Sequence, residues 1–427
     1  MRLRSYARFG LFALLGLMMS WLVACGGGQP SANTPDEGGS QEVEFWTMQL
    51  QPDFTDYFNG LIADYEAENP GTTVRWVDVP WADMQSKILT AVTAGTAPDV
   101  VNLNPDFAAQ LASRNAWIPL DDKVPTEAKQ VYLPNIWEAN TLNGQSFGIP
   151  WYLTTNVTLH NQELLDAAGV TAPTTYAELA EVARQVKEKT GKYAYFTTFV
   201  PEDSADVLQS FVQMGVELVD DQGQAGFDTA EGRAVFQYWT DLYQQELLPR
   251  EVLTQGHRRA IELFQAGEVA LLSTGAEFFP TIEANAPDIA AVTGSGPQIT
   301  GDTGKTNVAV MNVVIPASTD VPDAAIDFAL YVTNDANQLA FAKAANVLPS
   351  TAGALEDGYF AAEGTKGVEK ARSVSAEQMN QAEVLIPAMD GVKELQAIVY
   401  DNLQASMLGQ KTVDQAVSDA AAAWNAR

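Results

Sequence analysis

An α/β fold in two successive regions is what the sequence predicts, and three observations predict it. Residues 42–120 alternate short apolar runs with amphipathic stretches, and a second alternation begins near Ile149. The chain has 427 residues, more than one core holds at about 150 residues per domain.

Residues 42–48 (EVEFWTM) read as a strand entering the core. Phe54, Phe58, Leu61, Ile62 and Tyr65 form a helical stripe, and Asn69-Pro70-Gly71 stops it. Residues 73–79 are β-rich, 83–94 are helical up to Gly95, 98–103 form a buried-type strand and 107–115 a further helix before 117–120. Strands and helices at this spacing give parallel βαβ units with helices on both faces. In the second region 157–159 are strand-like, and 161–168 are helical up to Gly169. Residues 176–190 form a strong helix through Leu179, Val182, Ala183 and Val186. Helical patterns continue at 207–214, 230–245 and 258–265, and strands at 269–273 and 308–316 flank a Gly/Thr-rich loop at 294–305. Residues 322–332, 337–345, 392–407 and 413–424 are helical, and no repeat of 20–50 residues marks a solenoid.

Charge excludes several functions. There are 24 Lys and Arg against 54 Asp and Glu, a net charge of −30. A nucleic-acid binder needs a cationic face, so none is expected. Docking on anionic lipid through a basic patch is equally disfavoured. One cysteine rules out intramolecular disulfides and a multi-cysteine metal site, and two histidines leave little for a metal centre. No metal and no cofactor is expected.

The N-terminus carries its own signal. Arg2, Arg4 and Arg8 precede an uncharged run at 9–23, and no charge follows until Asp36. That run is short of the ~20 residues a spanning helix needs but suits the apolar region of a signal peptide. It ends in Leu22-Val23-Ala24-Cys25, which resembles a bacterial lipobox, whose cysteine is acylated and becomes the new N-terminus. The other reading is an anchor helix with a chance cysteine. Residues 26–41 hold no aliphatic or aromatic side chain beyond one alanine, so they read as a tether with a span of roughly 20–25 Å. The expectation is a signal peptide at 1–24, a tether at 25–41, and an exported body anchored to the membrane through Cys25, on the periplasmic or cell-surface side.

A family resemblance then emerges from an ordered set of motifs. Phe45-Trp46, Glu68-Asn69-Pro70-Gly71, Val74, Trp81, Lys87 and the run from Ala94 to Val101 (AGTAPDVV) follow one another through the first region. Gly148-Ile149-Pro150, His160-Asn161-Gln162-Glu163-Leu164-Leu165, Ala168-Gly169, Pro173-Thr174-Thr175-Tyr176 and Glu178-Leu179 come next. Phe264 to Leu271 (FQAGEVAL), Gly275, Leu348-Pro349 and Gly409 to Ala416 (GQKTVDQA) complete the series. The chain resembles the family-1 extracellular solute-binding proteins, the group containing maltose-binding protein. The resemblance implies a two-lobed periplasmic-binding-protein type II fold, each lobe a mostly parallel sheet flanked by helices, with the ligand in the cleft between them. It places 42–150 and 275–318 in the N-terminal lobe and 151–274 and 319–427 in the C-terminal lobe. Crossings would fall near 149–154, 272–275 and 316–320. It further implies a monomeric, non-catalytic carbohydrate receptor that serves the permease of an ABC importer.

A sugar site needs exposed aromatics for stacking and polar side chains for paired hydrogen bonds. Trp46 and Gln49 follow the first strand, where ligand loops sit in open α/β sheets; a core tryptophan and a solvated glutamine are the plain alternatives. The resemblance puts ligand groups in the loop after the third strand, which names Asn104 and Asp106; Asp106 equally suits a helix cap. Trp151, Tyr152 and Thr154 lie in the first presumed crossing, and Glu277 and Phe278 in the second. Phe196 and Phe199 read as core or as stacking groups, and Trp81 as a helix staple. Gln396 stands where some members place a late tryptophan, which speaks against maltose. Two competing readings stay open: a receptor for a polyol or phosphosugar, and an exported glycoside hydrolase using a pair among the 54 acids.

Overall fold

The computed structural model describes residues 41–201, 203–361, 364–386 and 388–427. The signal peptide, Cys25 and the tether up to residue 40 lie outside the described residues.

Strand β1 (Gln41–Met48) pairs in parallel with β2 (Thr72–Val79) along its whole length and with β3 (Val100–Leu103) through Phe45 and Trp46. The strand's period of two sends these neighbours to opposite faces. Phe45 joins a core with Phe58, Leu61 and Tyr65 of helix α1 (Thr55–Glu68), while Trp46 joins another with Met84 and Ile88 of helix α2 (Trp81–Ala94). Each helix buries residues at three- and four-residue spacing, one stripe against the sheet. Helix α2 ends at Gly95, whose φ of +67° is a left-handed cap that glycine adopts without strain. Helix α3 (Pro105–Ala112) starts where the Asn104 side chain accepts from the Phe107 amide at 2.8 Å, with proline in its first turn.

A hairpin of β4 (Thr141–Leu142) and β5 (Gln145–Ser146) turns through Asn143 and Gly144, both at positive φ, the requirement of a tight two-residue turn. Strand β6 (Ile149–Thr155) then enters the main sheet, and β7 (Val157–Asn161) opens a second one. There β7 lies between β8 (Leu271–Thr274) and β9 (Thr293–Gly296), antiparallel to both. Strand β10 (Thr306–Val314) returns to the main sheet, antiparallel to both β6 and β3, with β11 (Leu348–Pro349) on the far side of β6. The main sheet runs β11-β6-β10-β3-β1-β2, and β12 (Ala382–Glu383) pairs with the start of β10. Parallel pairing holds among β1–β3 and between β10 and β12, the three strands of the second sheet pair antiparallel, and isolated parallel bridges join Tyr193 to Val269 and Thr175 to Thr300.

The second lobe has its own core. Helix Tyr176–Thr190 starts in a capping box, with Thr175 and Glu178 each bonding the other's backbone amide. It packs with helices Asp206–Gln213, Ala230–Gln244, Val392–Met407 and Val413–Asn425 around Phe199, Phe211, Phe236, Trp239 and Tyr400.

The lobe boundaries expected from the sequence shift by whole elements. Trp151 and Leu153 of β6 lie in the first lobe's core, because alternate β6 residues point under α1. Helices Pro322–Val332 and Asp335–Ala345 also belong there, burying Phe328 and Phe341 against Phe45 and Phe58. In the other direction, Ala276, Phe279 and Ile282 pack in the second lobe's core, as do Ala371 and Val374 of helix Gly367–Gln378. The hydrophobic packing changes from one core to the other between Leu153 and Val157, between Ile299 and Val308 and between Phe360 and Ala371, and Ala382 of β12 packs back in the first.

Candidate functional site

Strands β1, β2, β3 and β6 run the same way, so their carboxyl ends share one edge of the main sheet. Asp78 folds the loop there, accepting from the Thr47 hydroxyl (2.7 Å) and from the amides of Leu50 (2.9 Å) and Gln51 (3.1 Å). The residues expected to meet a ligand here each have a partner within the protein. Trp46 is only 7% exposed, with its indole N–H on Glu44 and the Lys87 ammonium 4.5 Å from its ring. Gln49 accepts from the Trp81 amide at 3.2 Å, bracing two loops, and Asn104 caps α3. Asp106 pairs at 2.6 Å with Lys393 on helix Val392–Met407, an ion pair that joins the two lobes. Trp81, read as a staple, is 47% exposed at this same edge.

Trp151 is corrected outright. It is fully buried, stacked on Phe341 with centroids 4.9 Å apart and packed against Phe45 and Phe58. Phe196 and Phe199 are core residues too. Tyr152 and Thr154 alternate with Trp151 along β6 and are half-buried on the opposite face of the strand.

The Tyr152 ring packs at 5.2 Å from Phe341, and burial, helped by the Glu277 charge, pushes its hydroxyl's pKa up. Glu277 sits in a short 3-10 turn (Ala276–Phe278) just past the carboxyl end of β8. Its carboxylate folds back over Gly275, where any Cβ would collide with it. Burial pushes the Glu277 carboxyl up to about 7, its own backbone amide acting against the shift. Next to it Phe278 is 37% exposed and meets the His257 ring edge-on, centroids 6.0 Å apart. The His257 imidazole also lies 3.3 Å from the Thr274 hydroxyl, and the His257 amide donates to Asp203 at 2.7 Å.

His257 leads on to Asp206 in the first turn of helix Asp206–Gln213. Burial raises the Asp206 carboxyl's pKa, opposed by His257 and by hydrogen bonds from Ser204 and Asn156. Asp206 faces a small polar pocket lined by Asn156, Tyr195, Thr197, Gln209 and Ser273 among others. Asn156 is the single residue between β6 and β7, and Tyr195 of the pocket's lining belongs to the second lobe's core, as do Tyr176, Trp239 and Ile299. Charge couples Tyr152 to Glu277 and His257 to Asp206, and ring contact joins Phe278 to His257. Among the described residues no group of three or more His, Cys, Asp or Glu is placed to hold a metal ion.

Sequence reasoning missed Asp206, Tyr195 and Gln209. Asp206 reads as an ordinary acid in a helix's first turn, and Tyr195 and Gln209 belong to no motif. His257 was visible only as a basic helix start, and Asn156 only within an Asn-Val-Thr triplet.

The raised Glu277 carboxyl makes a pH prediction. The folded chain holds a proton here that the unfolded chain releases at the ordinary carboxylate value near 4.5. Stability contributed by Glu277 is complete below about 4.5 and falls as pH rises toward about 7. Glu277→Gln should flatten that part of the melting-temperature profile; an unchanged slope between pH 5 and 7 would contradict the assignment.

Two α/β lobes with polar loops and aromatic rings converging at their junction define a cleft-type binding protein. The sequence model for the bacterial extracellular solute-binding protein matches residues 51–339. The chain belongs to that family. A solved protein of Synechococcus sp. MITs9220, described as a "putative oligosaccharide periplasmic-binding protein" and determined with and without zinc, is 46% identical. It superposes with a TM-score of 0.85 over 90% of this chain and 98% of its own. The arabinooligosaccharide-binding protein of Halalkalibacterium halodurans is 28% identical over 318 residues, 71% of this chain and 70% of that protein. A "putative binding protein" of Brucella abortus is 23% identical over 261 residues, 60% of this chain. The match spans 63% of the Brucella protein, less than two thirds of its length.

Proposed function

We propose that the protein is the substrate-binding lipoprotein of an ABC importer: it captures a mono- or oligosaccharide between its lobes and presents it to the membrane permease when the lobes close. The observation that carries this reading is the group of polar and aromatic side chains formed by Tyr152, Glu277, Phe278, His257, Asp206 and Asn156. It is contributed by both lobes and the hinge, so a ligand held there gains contacts on closing and shifts the population toward the closed state. Its hydrogen-bond acceptors suit sugar hydroxyls, and Phe278 and Trp81 are open rings that suit the apolar face of a sugar. The oligosaccharide-related descriptions of the Synechococcus and Halalkalibacterium proteins support the same ligand class. A thermal-shift screen of neutral sugars and polyols tests it, since a ligand of the native state raises the melting midpoint. At least one carbohydrate should do so in a saturable way; a flat response across the panel would overturn the reading.

The enzyme alternative would use Asp206 and Glu277 as a carboxylate pair. It predicts cleavage of a bound glycoside, whereas the receptor returns its ligand intact.

Anchoring belongs to the same proposal. Cys25 is the chain's one cysteine and closes the apolar run. Mass spectrometry of the membrane-associated protein should find an acylated cysteine at the mature N-terminus. An uncleaved chain beginning at Met1 would refute it.

A further inference from the structure

The chain passes between the two cores from Leu153 to Val157, from Ile299 to Val308 and from Val384 to Ile386. Backbone groups in or beside all three passages are held by side-chain carboxamides. Gln378, the last residue of helix Gly367–Gln378, donates from Nε2 to the Asn156 carbonyl at 3.2 Å and accepts on Oε1 from the Gln298 amide at 2.8 Å. The Gln298 side chain accepts from the Asn307 amide at 2.8 Å, and the Asn307 side chain accepts from the Leu385 amide at 3.2 Å. Three carboxamides in series thus tie the three passages together, and Gln378 and Gln298 are buried.

The helix that carries Gln378 touches both lobes. Ala371 and Val374 pack in the second core, while Ala376 and the adjoining Met379 pack against the first. One turn before Gln378, the Ser375 hydroxyl meets that of Thr155 at 2.6 Å, so the helix is fixed twice to the first passage.

Carboxamides suit a moving part. A buried backbone amide or carbonyl must keep a partner, and losing it is costly. A carboxamide donates and accepts at once, and it sits on rotatable bonds. It can follow a strand that bends without releasing it, provided that the strands on either side bend together. Neither Gln378 nor Asn307 belongs to the group of side chains on which the receptor reading rests.

We infer that the Gln378–Gln298–Asn307 series is the coupling of the hinge: it makes the three passages turn as one and so confines the lobes to discrete arrangements. The inference rests on the receptor reading above, in which the lobes close on a ligand, and concerns how that closure is guided.

The test is double electron–electron resonance on the ligand-free full chain. Nitroxides are placed on exposed residues of the two lobes through Glu127→Cys and Glu231→Cys, with Cys25→Ser removing the native thiol. The parent should give narrow, discrete distances. Gln378→Leu releases Asn156 and Gln298 at once and should merge those distances into one broad distribution. Gln378→Glu should broaden it when ionised and sharpen it again on acidification, because a protonated carboxyl donates and accepts as the carboxamide does. Asn307→Leu cuts only the link to Leu385 and should also broaden it, which keeps the test open where Gln378→Leu folds poorly. Distributions as narrow in the variants as in the parent would overturn the inference, as would a parent that is already broad; either leaves the receptor reading to the sugar panel. A flat sugar panel beside broadened variants would overturn the receptor reading and leave the coupling of the passages standing.

Discussion

Replacing Trp151 by alanine should cost about 3–5 kcal/mol of folding stability, the range for a large aromatic removed from a packed core. The side chain is fully buried between Phe45, Phe58 and Phe341, and no second ring can move in without leaving its own partners. Its indole N–H is buried without an acceptor, so Trp151→Phe removes an unsatisfied donor along with the volume and should be much milder. Denaturant unfolding checks both variants. A Trp151→Ala protein that keeps its midpoint but loses ligand would return Trp151 to the cleft.

The second large effect is on affinity. Asp206→Ala should weaken binding of the neutral sugar found by screening by roughly 30-fold, about 2 kcal/mol, the usual cost of losing a central anchor. Stability should respond in the other direction. Burial raises the Asp206 carboxyl's pKa, so its contribution to stability falls as pH rises above the ordinary aspartate range. The variant should therefore melt at the same temperature as the parent or higher. Reduced melting with affinity retained would make Asp206 a structural residue.

Much of the fold was legible because it is local. The stripe at Phe58, Leu61 and Tyr65, the stop at Gly95 and the helix through Leu179, Val182, Ala183 and Val186 are written in neighbouring residues, and the structure shows each where the pattern puts it. The lobe boundaries were not legible, since they depend on which sheet an element packs against. Phe328 and Phe341 carry ordinary helical periodicity, and nothing within their helices says that their partners are Phe45 and Trp151. Helix Gly367–Gln378 escaped for a related reason. It buries Arg372, Ser373 and Ser375, polar residues that blur the apolar stripe, with Ser375 bonded at 2.6 Å to Thr155 beside the hinge.

The site divides in the same way. Trp151 and Tyr152 are adjacent aromatics, and the alternation of β6 buries the first fully and leaves the second half-buried against Phe341. Asn104 and Asp106 follow β3, and the structure commits them to a helix cap and to Lys393. Asp206 and Asn156 come together only through folding, about 50 residues apart in the chain, and no motif joins them.

Capture without conversion is the central claim, and one measurement tests it most directly. The purified protein is incubated with a mixture of neutral oligosaccharides, freed of unbound sugar by gel filtration, denatured, and its released ligand identified by mass spectrometry. The account predicts a single class of chemically intact carbohydrate, close to one molecule per chain. Release of shortened sugars, or of no sugar, would contradict it.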